Sequence, residues 1–134
     1  MSFQKNIAAT FAVALSTVIS SPSYASEDVI VRELATKPLP EFPGKEMLMI
    51  SVTYAPGAAD PVHRHDAHAF IYVLEGSIIM QVKGGPEATL TPGQTFYEAP
   101  RDLHVVGRNA SDTIPAKFLV LLVKNQGAPV LTVE

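Results

Sequence analysis

Residues 57–76 read GAADPVHRHDAHAFIYVLEG and carry the strongest indication of the fold. This stretch begins and ends with glycine, and three of the chain's four histidines lie between the two glycines. His63 and His65 are separated by one residue, so on a β-strand both rings project from one face, about 6.6 Å apart. Two imidazoles placed in this way can turn toward one ion, since zinc lies about 2.1 Å from a nitrogen ligand. The stretch therefore indicates a β-rich fold that carries a candidate metal site.

Outward from this stretch, the chain alternates short β-rich runs with turns that contain proline or glycine. No stretch after residue 25 shows a sustained helical period. Residues 36–44 (TKPLPEFPG) contain three prolines and are expected to form an extended loop. Short strands with turns at this spacing predict one sandwich or barrel. The strand candidates are 29–34, 47–55, 69–74, 77–83, 95–98, 105–106 and 117–124.

The first 25 residues have the pattern of a secretory signal peptide. Lys5 precedes an uncharged, mostly apolar stretch at 7–19, and residues 23–25 (SYA) suit a signal peptidase. The apolar stretch is shorter than the roughly 20 residues that span a bilayer. We therefore expect cleavage after Ala25, a single domain at 26–134, and export to the periplasm or the cell exterior, with no membrane attachment after cleavage.

The composition excludes several classes of function. The chain has no cysteine, so thiol nucleophiles, thiolate metal ligands and disulfides are ruled out. Its net charge is −3 and its basic residues do not cluster, so nucleic acid and anionic membrane surfaces are not expected partners. The sequence also lacks the G-x-S-x-G elbow and a glycine loop of the kind that binds phosphate.

Two motifs in residues 45–109 resemble those of the cupin superfamily. The first is G-x5-H-x-H-x3–4-E-x6-G, and the second is G-x5-P-x-G-x2-H-x3-N. Gly57, His63, His65 and Gly76 match the first motif, while Gly93 and His104 match the glycine-to-histidine spacing of the second. The second motif is otherwise altered: Pro100 and Asn109 come one residue late, and Arg101 replaces a glycine.

The resemblance implies a fold and a cofactor. The fold is all-β, a single cupin (jelly-roll) antiparallel barrel, and such barrels commonly pair their edges across a homodimer. His63, His65 and His104 are the implied ligands of one divalent metal ion at the barrel centre. Imidazole ligands suit iron, manganese, zinc, nickel or copper, and the sequence does not choose among them.

The chain departs from the family at the acidic ligand, because the expected glutamate position is Ala69. Three interpretations follow. The site uses three histidines alone, or His68 replaces the glutamate through a bulge at residues 66–67, or the site is degenerate. In a regular strand His68 faces away from His63 and His65, which weakens the second interpretation.

The functional prediction is a metal-dependent oxidoreductase or isomerase of the cupin type, most nearly dioxygenase-like. Its expected substrate is a small bidentate oxygen-bearing molecule such as an enol, a diketone or a hydroxy acid. Glu98 and His68 are the candidate catalytic bases. One alternative is a non-catalytic periplasmic cupin that binds a small molecule or a metal. A further alternative is a structural barrel with a vestigial site, since cupins host many chemistries.

Overall fold

A computed structural model describes residues 28–134, which form ten β-strands and no helix. The expected signal peptide at 1–25 lies outside the described residues. Within 28–134 no helix is long and apolar enough to cross a membrane. The strands are β1 Val29–Pro38, β2 Lys45–Tyr54, β3 His63–Arg64, β4 Ala67–Glu75, β5 Ile78–Val82, β6 Ala88–Leu90, β7 Thr95–Glu98, β8 His104–Asn109, β9 Ala116–Asn125 and β10 Thr132–Val133.

The strands form two five-stranded antiparallel sheets that share one hydrophobic core. The strand order is β1-β2-β9-β4-β7 in one sheet and β10-β3-β8-β5-β6 in the other. In β9 buried and half-buried positions alternate, as expected of a strand with one face toward the core. This architecture confirms the predicted all-β jelly-roll barrel.

Most strand predictions are close, and the main correction concerns the proline-rich loop. Strand β1 continues to Pro38, so residues 36–38 pair with β2 instead of forming a loop. The pairing resumes after an irregularity between Glu33 and Ala35. Because β1 is an edge strand, a proline at its end can face away from the ladder without losing a hydrogen bond.

Burial alternates without interruption from β3 through β4. Residues 63, 65, 67, 69, 71 and 73 are buried, whereas residues 66, 68, 70 and 72 are exposed. The short break between the two strands therefore preserves the alternation of faces. The only irregularity in the pairing of β4 with β9 lies between Val73 and Glu75, far from the histidines.

Two motif residues that do not face the histidines stabilise turns and loops of the barrel. Gly76 has a φ of 68°, and a Cβ there would lie 2.5 Å from the carbonyl oxygen of Pro115. The buried Asn109 side chain donates to the carbonyls of Ala55 at 3.1 Å and Ile114 at 2.8 Å. Glycine is thus required at position 76, and Asn109 connects two loops although it lies one residue late in the motif.

Candidate metal centre

The histidines of the two motifs meet because strands β3 and β8 are paired. His63 lies directly opposite His104 in the antiparallel ladder, although 41 residues separate them. His63 Nε2 is 3.2 Å from His104 Nδ1 and 3.1 Å from His65 Nε2. All three rings are buried. The structure therefore brings together the three histidines that the sequence singled out.

A carboxylate completes this cluster from β7, at a position that the second motif leaves unspecified. Glu98 ends β7 and is 2% exposed. Its carboxylate oxygens lie 3.5 Å from His104 Nδ1 and 3.8 Å from His65 Nε2. The four candidate ligand atoms all lie within 4.8 Å of one another. The cluster thus contains three histidines and one carboxylate, whereas the sequence had assigned Glu98 the role of a base.

His68 lies outside the cluster. It is exposed on the outer face of β4, where its Nδ1 lies 2.7 Å from the Tyr97 hydroxyl and the two rings stack. The bulge at residues 66–67 that would turn it inward is absent, because burial alternates through that segment. Neither a ligand role nor a catalytic role at this site fits that position.

Backbone carbonyls fix which nitrogen two of the histidines present to the cluster. His63 Nδ1 lies 2.8 Å from the Pro61 carbonyl oxygen, and His65 Nδ1 lies 2.5 Å from that of Val130. A carbonyl only accepts, so each Nδ1 carries the proton and each Nε2 directs its lone pair at the other ring. Two lone pairs 3.1 Å apart repel one another unless a proton or a cation lies between them.

Burial shifts the pKa values of His65, His104 and Glu98 so that each group favours its neutral form. It lowers the pKa of His65 to about 4 and that of His104 to about 3. Burial also raises the pKa of Glu98 to about 8, and the charges of Asp102 and Asp60 add to this effect. His65 and His104 are therefore neutral ligands at pH 7, while Glu98 requires a nearby cation to ionise there.

The cluster fits one divalent cation. Within residues 28–134, Glu98 Oε2 is a buried atom without a hydrogen-bond partner. The nearest separations between ligand atoms, 3.1 to 3.8 Å, approach the roughly 3.0 to 3.4 Å expected of neighbouring ligands about 2.1 Å from one ion. Nitrogen and oxygen donors without sulfur suit zinc, iron, manganese, nickel or copper.

The cluster faces a cavity of about 600 Å³ between the two sheets. Asp60 lines the same cavity and accepts a hydrogen bond from the hydroxyl of buried Tyr54. Burial raises the pKa of Asp60, while that hydrogen bond lowers it. Sequence reasoning missed Asp60 as a cavity residue because it lies in the loop between Gly57 and His63, where strand alternation gives no direction.

The chain belongs to the cupin family. The family model described as "Cupin domain" matches residues 50–122, which is more than half of the chain and includes all four members of the cluster. No curated protein matches the sequence.

Solved structures share the fold. The protein TT1209 from Thermus thermophilus is 28% identical with a TM-score of 0.59, covering 77% of this chain and 90% of its own. A recombinant oxalate oxidase in complex with glycolate is 24% identical with a TM-score of 0.60, covering 84% of this chain and 58% of its own. The DMSP lyase DddQ from Ruegeria pomeroyi DSS-3 is 22% identical with a TM-score of 0.57, covering 65% of this chain. The chain spans only 42% of that lyase.

Proposed function

We propose that this protein is a metal-dependent cupin enzyme that binds one divalent ion through His63, His65, Glu98 and His104 and acts on a small oxygen-bearing molecule. The observation that carries the proposal is the convergence of three histidines and a buried carboxylate on one wall of a large cavity. A purely structural ion would not need such a cavity. A site for a small molecule does, and cavities of ~300–1,000 Å³ are typical of such sites.

The metal would supply a Lewis acid and, with iron, manganese, nickel or copper, a redox centre for dioxygenase-like chemistry. The chain's own residues define the remaining functions. The carbonyls of Pro61 and Val130 hold two histidine rings in one tautomer. Two carboxylates outside the cluster line the cavity, Glu33 at the exposed rim and Asp60 beside the cluster. We assign Asp60 the role of proton acceptor for a bound hydroxyl or enol.

A second candidate function is binding without turnover. Four protein ligands resemble the closed sites that hold structural metals, which leaves fewer positions for substrate than three histidines alone would leave. The oxalate oxidase and DMSP lyase likenesses support the fold alone and do not choose between catalysis and binding.

Metal content tests the proposed site directly. Protein purified without a histidine tag should contain about one equivalent of a transition metal by elemental analysis. His63→Ala and Glu98→Gln should lower that content, and His68→Ala, which removes a histidine outside the cluster, should keep it. Tag-free protein that neither contains nor takes up a divalent ion would overturn the proposal.

Turnover distinguishes the two functions. Oxygen consumption by the metal-loaded protein should be measured with pentane-2,4-dione, a catechol and a 2-hydroxy acid, with His63→Ala as the control. Consumption that requires His63 supports the dioxygenase-like activity. Tight metal binding with no consumption for any compound, and no other product by mass spectrometry, favours the binding function.

We propose export of the mature chain to the periplasm or cell exterior, supported by the signal-like residues 1–25. We also propose a homodimer that covers edge strand β1, because nine of its ten residues are exposed, including Ile30 at 46% and Leu34 at 53%. Mass spectrometry of the secreted chain and light scattering test these two proposals.

A further inference from the structure

The walls of the cavity are apolar away from the metal cluster. They come from both sheets and are formed by aliphatic side chains with one thioether and one aromatic ring. The central wall residues are Ile50, Val52, Ile71, Met80, Phe118 and Val120. A bound molecule would therefore exchange water for hydrocarbon contacts over most of its surface, which favours ligands with an apolar body.

Apart from His63, His65 and His104, the ionisable side chains that line the cavity are all carboxylates. Glu33 lies on β1 at the exposed rim, Asp60 lies beside the cluster, and Glu98 belongs to it. Within residues 28–134, no lysine or arginine lines this cavity. A divalent ion would balance Glu98 and one anionic head, and the nearby Asp60 would repel any further negative charge.

We propose that the cavity takes a small molecule with a single oxygen-bearing head of at most one negative charge and an apolar body, and that it rejects dicarboxylates. This inference rests on the proposed function only in that the head meets the metal ion. A dianion would place one carboxylate at the ion and the other against hydrocarbon or a second carboxylate. Among the lining residues that the structure describes, no lysine or arginine is present to replace its water. The expected class therefore differs from the dicarboxylate in the name of the oxalate oxidase neighbour.

A series of carboxylates with the same head group tests both the preference for an apolar body and the rejection of dicarboxylates. Calorimetry on zinc-loaded protein should show that affinity rises from acetate to butyrate to hexanoate, about three- to fourfold for each buried methylene. Hexanoate should bind at least about tenfold more tightly than adipate, which has the same carbon number and a second charge. Equal affinity for acetate and hexanoate, or for hexanoate and adipate, would overturn the inference.

Two variants on one strand locate the apolar wall. Val120 faces the cavity from β9, whereas its neighbour Leu121 lies on the opposite face of the strand. Val120→Phe should abolish the gain from butyrate to hexanoate, and Leu121→Phe should preserve it. If Val120→Phe does not fold, Val31→Phe at the rim, where Val31 is 36% exposed, should weaken hexanoate binding. Unchanged hexanoate affinity in a folded cavity variant would contradict the proposed wall.

Removing carboxylates from the cavity tests whether their negative charge disfavours adipate. Asp60→Asn and Glu33→Gln should each narrow the preference for hexanoate over adipate, because each removes a negative charge from the cavity. Glu87→Gln, an exposed carboxylate outside the cavity lining, should leave the preference unchanged. An unchanged preference in both cavity variants would contradict the role of their charges.

Metal-free protein separates this inference from the proposed function. The apolar wall does not require the ion, so 1-butanol, 1-hexanol and 1-octanol should bind the metal-free protein with increasing affinity. Protein that binds zinc but shows no chain-length dependence overturns the inference alone. Protein that binds no metal yet shows this dependence overturns the proposed function and leaves the apolar cavity in place.

Discussion

Ala69 and Glu98 lie directly opposite each other on the adjacent antiparallel strands β4 and β7. Opposed residues on one face of such a pair have Cβ atoms about 4.5–5.5 Å apart, so a side chain from either strand reaches the same space. Ala69 is fully buried and carries only a methyl group, which leaves that space to the Glu98 carboxylate. The carboxylate expected at position 69 is thus supplied by the neighbouring strand.

This relationship predicts that a glutamate at position 69 can replace part of the function of Glu98. Glu98→Ala should lower metal affinity by more than the roughly 10- to 100-fold typical of losing an outer-shell partner. The double variant Ala69→Glu/Glu98→Ala should recover part of that loss, because the new carboxylate enters the space that the old one leaves. Competition with a chelator measures both affinities. A double variant weaker than Glu98→Ala would show that the two positions are not equivalent.

The Val130 carbonyl predicts a role for the C-terminal segment in metal binding. Removing residues 130–134 deletes the acceptor for His65 Nδ1 and also the pairing of β10 with β3. Metal affinity should fall about 10- to 100-fold, as is typical when a ligand histidine loses its hydrogen-bond partner. The matched control is Glu134→Gln, which removes only the exposed ion pair with Arg64 and should have little effect. An unchanged affinity in the shortened chain would contradict this role.

Gly107 is predicted to position His104. A Cβ at residue 107 would lie 2.8 Å from Cε1 and 3.1 Å from Nε2 of the His104 ring, so Gly107→Ala must displace that ring. We expect weaker metal binding with a folded barrel, measured by chelator competition and circular dichroism. Gly85→Ala is the control, because its Cβ would meet only the Val82 residue of its own hairpin. Equal metal affinity in both variants would show that the ring adapts without cost.

The pKa shifts predict that the metal-free protein loses stability both as pH rises and as pH falls from near neutrality. Glu98 has a pKa of about 8 when folded and 4.5 as the reference, so folding binds its proton and stability falls as pH rises from about 4.5 to 8. The pKa values of His65 and His104 are lowered from 6.5 to about 4 and about 3 in the folded protein. The unfolded chain therefore binds more protons than the folded one, and stability falls as pH drops below about 6.5. The free energy of unfolding should therefore be greatest at about pH 6 to 7. Urea unfolding across this range measures it, and Glu98→Gln should lose the decline above pH 7.

The same shifts predict proton release when the metal binds at pH 7. The two lowered histidines are already neutral there, whereas Glu98 must lose its proton to face a cation. Calorimetric titration with zinc in buffers of different ionisation enthalpy should report close to one proton released. That proton should disappear in Glu98→Gln. Release of no proton by the unaltered protein would mean that Glu98 is ionised before the metal arrives.

The sequence predicted the histidines better than the carboxylate, for a physical reason. His63 and His65 share a face because strand alternation is local, and the same alternation correctly turned His68 outward. Glu98 joins them only through the register of β4 against β7, which depends on the whole barrel. Strand β10 was missed for a similar reason, since a run of two residues is too short to indicate a strand and this one is held by its pairing with β3.

The contact between Val130 and His65 also bears on when the site matures. A nascent chain that has folded through residue 125 already contains the three histidines and Glu98, yet the His65 ring has no partner for Nδ1 and can rotate. Only when residues 130–133 dock beside β3 does that ring take one orientation. Tight metal uptake should therefore be among the last events in biogenesis, and retention of the ion would mark chains whose assembly is complete.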